Sequence, residues 1–254
     1  MAGQIDITID EQGVGAPIWV LHGGGGPLTV AGLAAHLAGY GRVFTPTHPG
    51  WNGTVLPESI ANVDDLAALY LGELARRGLT GVTIVGSSMG GWLAAAMAVQ
   101  DQGRRIGRLV LIDAVGVEVA GESIADFFGL TPRQIAEHAY HEPDRFFVDP
   151  ATLSPQQIAT QRGNMRSLRA LAGTRMADPA LFGRLRAVTV PVLVVWGESD
   201  RIATASYGRA LAGAFGDGRF ALIQRAGHLP QLERPEATFA AIDAFLAPGE
   251  ASQP

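Results

Sequence analysis

The chain has 254 residues, 47 % of them hydrophobic, which suits one α/β domain carrying an insertion and supplies ample material for a core. A formal net charge of -5 disfavours nucleic acid as a partner, because phosphate binding is driven by clustered Lys and Arg. The absence of cysteine excludes disulfides, thiolate metal sites and a cysteine nucleophile, and fits a cytoplasmic protein.

Residues 5–10, Ile5-Asp6-Ile7-Thr8-Ile9-Asp10, alternate as a half-exposed edge strand does. The first ten residues hold acids but no basic start and no long apolar stretch, so no secretory signal is expected. No apolar run reaches membrane-spanning length, and no membrane partner is expected. Residues 18–21 have the pattern of a buried strand and run into His22-Gly23-Gly24-Gly25-Gly26-Pro27, where side chains are absent and backbone N–H groups can face a ligand. A turn follows at His48-Pro49-Gly50-Trp51-Asn52-Gly53. Residues 63–74 have helical periodicity, with Asn62 as cap and Gly78 just beyond Arg76-Arg77.

The most informative stretch is Gly86-Ser87-Ser88-Met89-Gly90, between the apolar run 82–85 and the helix-like run 91–100. A strand turning abruptly into a helix pushes the middle residue of the turn out of the backbone, which displays Ser88. A serine hydroxyl is a poor nucleophile unless a histidine base and an orienting carboxylate arrive from elsewhere. The arginines 104, 105 and 108 read as the solvated end of the helix after Ser88, and 109–112 as another buried strand.

Between about 117 and 186 the alternation of strand and helix stops and prolines recur at 132, 143, 150, 155 and 179, as in a helical lid inserted into a core formed by 1–116 and 187–254. Phe127, Phe128, Tyr140, Phe146 and Phe147 lie there, with packing against the core and substrate contact both open to each. Phe127 and Phe128, with Trp51 from the earlier turn, are the candidate substrate contacts; Trp92 reads as core. His138 and His141 have a spacing a metal could use but lack a third ligand, so no metal is expected. His22 and His48 read as supports of their own loops. The apolar run 190–195 leads to Trp196-Gly197-Glu198-Ser199-Asp200, and the strand-like 220–224 leads to Gly227-His228. Asp200 is the first candidate for the orienting acid, with Glu198 in the same loop and Asp113 at another strand end as alternatives. Residues 248–254 read as a frayed tail.

Alternating strands and helices imply a largely parallel sheet, whose ligands bind outside the carboxyl ends of the strands. The order Ser88, Asp200, His228 matches one serine-hydrolase architecture and neither of the two serine-protease orders. With the glycine loop, the elbow and the Glu233-Arg234-Pro235 segment in register, the chain resembles the α/β-hydrolase superfamily, in particular its small, lidded, esterase-like and meta-cleavage-product-hydrolase-like members. The resemblance implies the α/β-hydrolase fold, a mostly parallel twisted sheet flanked by helices with a helical lid. It also implies Ser88 as nucleophile, His228 as base, Asp200 as its orienter, and Gly24 or Gly25 with Met89 as oxyanion donors. Thr47 departs from the pattern, since relatives often carry aspartate there. The expected activity is hydrolysis of a small or medium carboxylic ester or lactone, a small-molecule substrate, without cofactor. Cleavage of a carbon–carbon bond in a vinylogous diketone is the enzymic alternative, with Arg162, Arg166 or Arg169 as candidate holders of a substrate carboxylate. A non-catalytic small-ligand receptor is the alternative of another class. Oligomeric state is not legible in the sequence.

Overall fold

The computed structural model describes residues 5, 7–101 and 104–247. The tail 248–254 and part of the 5–10 segment lie outside the described residues. Seven strands form the main sheet: β1 (Ile9–Gln12), β2 (Pro17–Leu21), β3 (Arg42–Pro46), β4 (Val82–Ser87), β5 (Ile106–Ile112), β8 (Val192–Gly197) and β9 (Gly218–Ile223), in the order β1-β3-β2-β4-β5-β8-β9. All neighbours pair in parallel except β1 with β3.

The central strands β2, β4, β5 and β8 are apolar on both faces because helices cover both. Ile18, Val20, Val85, Val110, Ile112, Leu193 and Val195 face α1 (Ala31–Leu37) and the last helix, α10 (Pro235–Leu246). Their neighbours Trp19, Leu21, Ile84, Leu109, Leu111, Val194 and Trp196 point the other way, toward α2 (Val63–Arg76), α3 (Met89–Asp101) and α8 (Ala205–Ala214). This is the two-residue alternation of a strand expressed on a sheet that has no wet face. Each large apolar side chain so buried contributes about 1.5–3 kcal/mol relative to exposure. Asn62 caps α2, accepting from Asp65 N–H at 2.9 Å.

The expected edge strand is displaced. The paired strand residues are 9–12, and one further bond, Thr47 N–H to Thr8 O, lies just before them. The arginines after α3 are not simply its solvated end. Arg105 donates to Leu79 O, and Arg108, inside β5, donates to Leu246 O, so both tie separate segments to the start of β5.

After β5 the chain leaves the sheet. The two-residue strand β6 (Gly116–Val117) pairs with β7 (Ala177–Asp178), and between them stand α4 (Pro132–Ala139), α5 (Pro143–Phe146) and α6 (Pro155–Ala172); α7 (Leu181–Arg184) leads back to β8. The prolines at 132, 143 and 155 each sit at the first turn of a helix, where the missing N–H costs nothing, and Thr131 and Ser154 close capping boxes. Among the described residues, no helix is long and apolar enough to cross a membrane.

Replacing the Asn62 cap by alanine is expected to cost about 1 kcal/mol, a drop of about 2–4 °C in melting temperature by calorimetry, with the fold unchanged.

Candidate active site

β4 ends at Ser87 and α3 begins at Met89, so the chain reverses at one residue, Ser88, whose φ is 56°. A non-glycine residue in this left-handed region costs roughly 1–2 kcal/mol. The turn closes because Gly86 and Gly90 lack side chains: a Cβ on Gly86 would collide with the Gly90 carbonyl, and one on Gly90 with the Leu21 carbonyl of β2. Ser88 N–H donates to Ile112 O at 2.9 Å, anchoring the turn to β5.

The loops after β8 and β9 bring two side chains to this point. His228 lies with one ring nitrogen, Nε2, 2.9 Å from Ser88 Oγ and the other, Nδ1, 2.8 Å from Asp200 Oδ2. Since a carboxylate accepts, Nδ1 carries the hydrogen and Nε2 presents its lone pair to the hydroxyl. All three residues are buried, Ser88 the least so at 8 % exposure. Asp200 Oδ1 also accepts from the N–H groups of Ile202 and Ala203.

The alternative acids are placed differently. Glu198 is exposed and accepts from Arg225 N–H, away from the imidazole. Asp113 is fully buried, has φ 43° and accepts Gly197 N–H at 2.9 Å. Burial, and then the charge of Asp200, push its carboxyl well above the usual carboxylate range, which favours the neutral acid. Asp113, Asp200 and His228 offer polar atoms within 4.8 Å of one another, but both ring nitrogens of His228 are already engaged within the protein. His138 and His141 do not join: their Nδ1 atoms meet Gln134 O and Ser199 Oγ respectively.

The glycine loop after β2 passes beside the elbow. A Cβ on Gly23 would lie 2.9 Å from Ser88 Cβ. Gly24 faces Leu168 of α6, whereas Gly25 is exposed and faces Thr29. Met89 supplies the first N–H of α3, which no intrahelical carbonyl can accept.

Two neutral histidines set the loop's path. His22 Nδ1 donates to Gly23 O at 2.7 Å and its Nε2 accepts His48 N–H at 3.1 Å; His48 Nε2 donates to His22 O at 2.9 Å and its Nδ1 accepts Tyr70 O–H at 2.7 Å. The rings lie 3.8 Å apart. Burial lowers His22 to about 4, and burial followed by the neighbouring His22 holds His48 well below the usual range. Trp51, expected at the pocket, is instead fully buried against this pair, because its Nε1–H donates to Gly24 O at 2.9 Å and holds the loop from beneath.

A cavity of about 1160 Å³ opens between β6, β7 and the helical insertion, lined among others by Val117, Phe128, Arg169, Phe182 and Tyr207. The three hydrogen-bonded residues are not part of its wall; Leu168, next to Arg169 on α6, lies against Gly24. Phe128 lines the cavity, with the Arg169 guanidinium 5.6 Å from its ring centre, while Phe127 packs edge-on against Phe128 outside the lining. Arg162 and Arg166 are exposed and do not line it. Trp92 is core, its ring packed against Gly116. Two polar residues were given no role by the sequence: Gln231, whose Nε2 donates to Ser87 Oγ at 3.1 Å, and Glu233, which binds backbone N–H groups of two segments. Gln231 had only its proximity to His228 as a signal, whereas Glu233 stood within the Glu233-Arg234-Pro235 segment of the resemblance.

A sequence model described as the alpha/beta hydrolase family matches residues 20–242. The 2-hydroxy-6-oxononadienedioate/2-hydroxy-6-oxononatrienedioate hydrolase 2 of Pseudomonas putida is 29 % identical over 92 % of the chain and 90 % of its own length. An esterase from Thermogutta terrifontis superposes with a TM-score of 0.74 at 23 % identity, over 94 % of this chain and 92 % of that one. A meta-cleavage product hydrolase from Pseudomonas fluorescens gives 0.74 at 19 % identity, over 95 % of each chain.

The histidine pair makes stability depend on pH. Both folded-state values lie below the unfolded value of about 6.5, so the stabilisation is complete above that pH and is lost as pH falls from there toward 4, where His22 itself titrates in the folded protein. The His22 share is on the order of 3 kcal/mol. Urea unfolding at pH 7.5 and pH 5 is expected to show the loss, and His22→Asn to show a smaller difference between the two; an equal difference would sink the assignment.

Proposed function

The chain belongs to the alpha/beta hydrolase family, and from that premise we propose that it is a serine hydrolase cleaving a small or medium carboxylic ester or lactone through an acyl-enzyme. The observation that carries this reading is the continuous hydrogen-bonded line from Ser88 Oγ through His228 to Asp200 Oδ2. Nε2 of His228 takes the hydroxyl proton as Oγ attacks the carbonyl carbon, and Asp200 stabilises the imidazolium that forms. The oxyanion is held by the N–H groups of Met89 and Gly24; Gly24 is preferred to Gly25 because it follows the glycine that touches Ser88, and its carbonyl is pinned by Trp51. His228 then protonates the departing alkoxide; a water deprotonated by Nε2 attacks the acyl carbon, and as the acyl–oxygen bond breaks the imidazolium returns that proton to Ser88 Oγ, freeing the acid and the hydroxyl. Residues 117–186 act as the lid, and the distal part of the substrate occupies the cavity beside Phe128.

A second reading, hydrolysis of a carbon–carbon bond in a vinylogous diketone that bears a carboxylate, is supported by the name of the Pseudomonas putida relative and by Arg169. Of the three lid arginines considered, Arg169 alone lines the cavity, and among the described residues no carboxylate pairs with it. That leaves its guanidinium available to a carboxylate.

A panel of p-nitrophenyl esters of graded acyl length, with one vinylogous diketone acid, tests these readings. Steady ester turnover is expected, with kcat reduced roughly 10^6-fold in Ser88→Ala and about 10^4-fold in Asp200→Asn. Faster turnover of the diketone, with KM for it raised in Arg169→Ala by about tenfold or more and KM for neutral esters raised less, favours the second reading. Stoichiometric binding without steady turnover of any member would overturn both and leave a receptor.

A further inference from the structure

Glu233, the last residue of α9 (Pro230–Glu233), is a buried acid that makes no ion pair among the described residues. The adjacent Arg234 guanidinium is turned to Glu142 instead. The carboxylate is satisfied by backbone alone. Oε1 accepts from His141 N–H at 2.9 Å and from Glu142 N–H at 3.1 Å, and Oε2 from His141 N–H at 3.1 Å and Gly227 N–H at 2.5 Å. One side belongs to the helical insertion just after α4; the other is the residue before His228.

The same two segments meet directly. His228 N–H donates to Ala139 O at 2.7 Å, and a side chain on Gly227 would collide with that carbonyl. The insertion also grips the Asp200 loop, through Arg201 N–H to His138 O at 3.0 Å and His141 Nδ1 to Ser199 Oγ at 2.8 Å. The loops carrying the base and its carboxylate are therefore both bonded to residues 138–142. A carboxylate is the side chain that suits this joint: it offers acceptors on two oxygens, whereas an amide of the same size offers one oxygen and turns N–H toward the remaining donors.

We propose that Glu233 is a positioning residue for the reaction proposed above: it clamps residues 141–142 of the helical insertion to Gly227, and so holds the His228 imidazole on Ser88 as long as that part of the insertion is docked. It touches neither substrate nor the reacting atoms, and the proposal rests on the serine-hydrolase reading. Its consequence is that the insertion does more than shape a pocket, because seating residues 138–142 completes the catalytic base.

The test compares the intact wild-type protein with Glu233→Gln and Gly227→Ala in hydrolysis of p-nitrophenyl acetate, in the rate of Ser88 labelling by a fluorophosphonate, in thermal unfolding and in residue-resolved amide exchange. Displacing a catalytic group by about 1 Å can cost about 100-fold. Glu233→Gln is expected to lower kcat by about 10- to 100-fold per titrated active site and to slow labelling in parallel, with KM within about twofold. A merely structural role would lower the melting temperature and leave the rate per folded molecule unchanged, and that result overturns the proposal. Should Glu233→Gln fail to fold, Gly227→Ala, which forces Ala139 O away while keeping the carboxylate, is read by the same criteria. In the wild type, the amides of His141, Glu142 and Gly227 are expected to exchange at a common rate; independent exchange overturns the clamp whatever the variants do. A wild type that neither turns over esters nor labels at Ser88 instead defeats the hydrolase reading, while the exchange experiment still decides the clamp.

Discussion

Everything at the site depends on one left-handed residue. Ser88 can hold φ 56° at the mouth of the sheet because β5 receives its N–H and because the chains on either side come closer than side chains permit. The strain, roughly 1–2 kcal/mol, is small beside the burial of the strands that hold it. Its effect is geometric. β4 cannot continue, α3 must start at Met89, and the hydroxyl is left at the carboxyl end of a central strand. There the loops after β8 and β9 can reach it, since those strands lie farther along the same parallel sheet and end on the same side.

Around that hydroxyl, backbone donors decide which acid does what. Three buried carboxyl groups lie near the imidazole, and residue type alone does not tell them apart. Asp200 accepts two backbone N–H groups as well as His228 Nδ1, Asp113 accepts one N–H and faces the charge of Asp200, and Glu233 takes three N–H groups and no imidazole. A buried carboxyl that meets few donors and faces a neighbouring negative charge is pushed toward its neutral form. Asp113 accordingly favours its neutral form, and Asp200 is the acid whose oxygen meets the ring. The histidine pair is held neutral by burial: with every nitrogen committed to one neutral tautomer, His22 and His48 serve as fixed hydrogen-bonding struts for the glycine loop.

Much of this was legible in the sequence, for identifiable reasons. Strands buried on both faces leave continuous apolar runs, so β2, β4, β5 and β8 announce themselves, β9 shows through its apolar half Phe220-Ala221-Leu222-Ile223, and the glycine spacing around Ser88 records the steric requirement of the turn. β3 passed unnoticed because Arg42-Val43-Phe44-Thr45-Pro46 begins with a charge and ends with a proline, although Phe44 and Val43 are as buried as any strand residue. Trp51 reads equally well as a pocket wall or a prop. Only the tertiary bond from its indole to Gly24 O separates the two. Glu198, Asp113 and Asp200 posed the same difficulty, since what separates them is a distant partner for each: Arg225 N–H, Gly197 N–H and the His228 imidazole.

The helical insertion meets each part of this machinery through a different contact. Leu168 of α6 covers Gly24, Ser167 Oγ donates to Gly50 O, and Asn164 Oδ1 accepts Asn52 N–H, so α6 bears on the glycine loop and on the turn that carries Trp51. Residues 138–142 bear on the loops of Asp200 and His228. The cavity wall at Phe128 and Arg169 belongs to the same insertion. Under the proposed reading, a substrate filling that cavity would press on elements bonded to the glycine loop on one side and to the His228 loop on the other. Under the hydrolase reading, binding energy gained far from the scissile bond has a physical route to the geometry of the reacting groups, which is how remote contacts raise a rate as well as an affinity. The route consists of hydrogen bonds to backbone, and a substitution of side chains along the cavity can alter what is bound while leaving that connection in place.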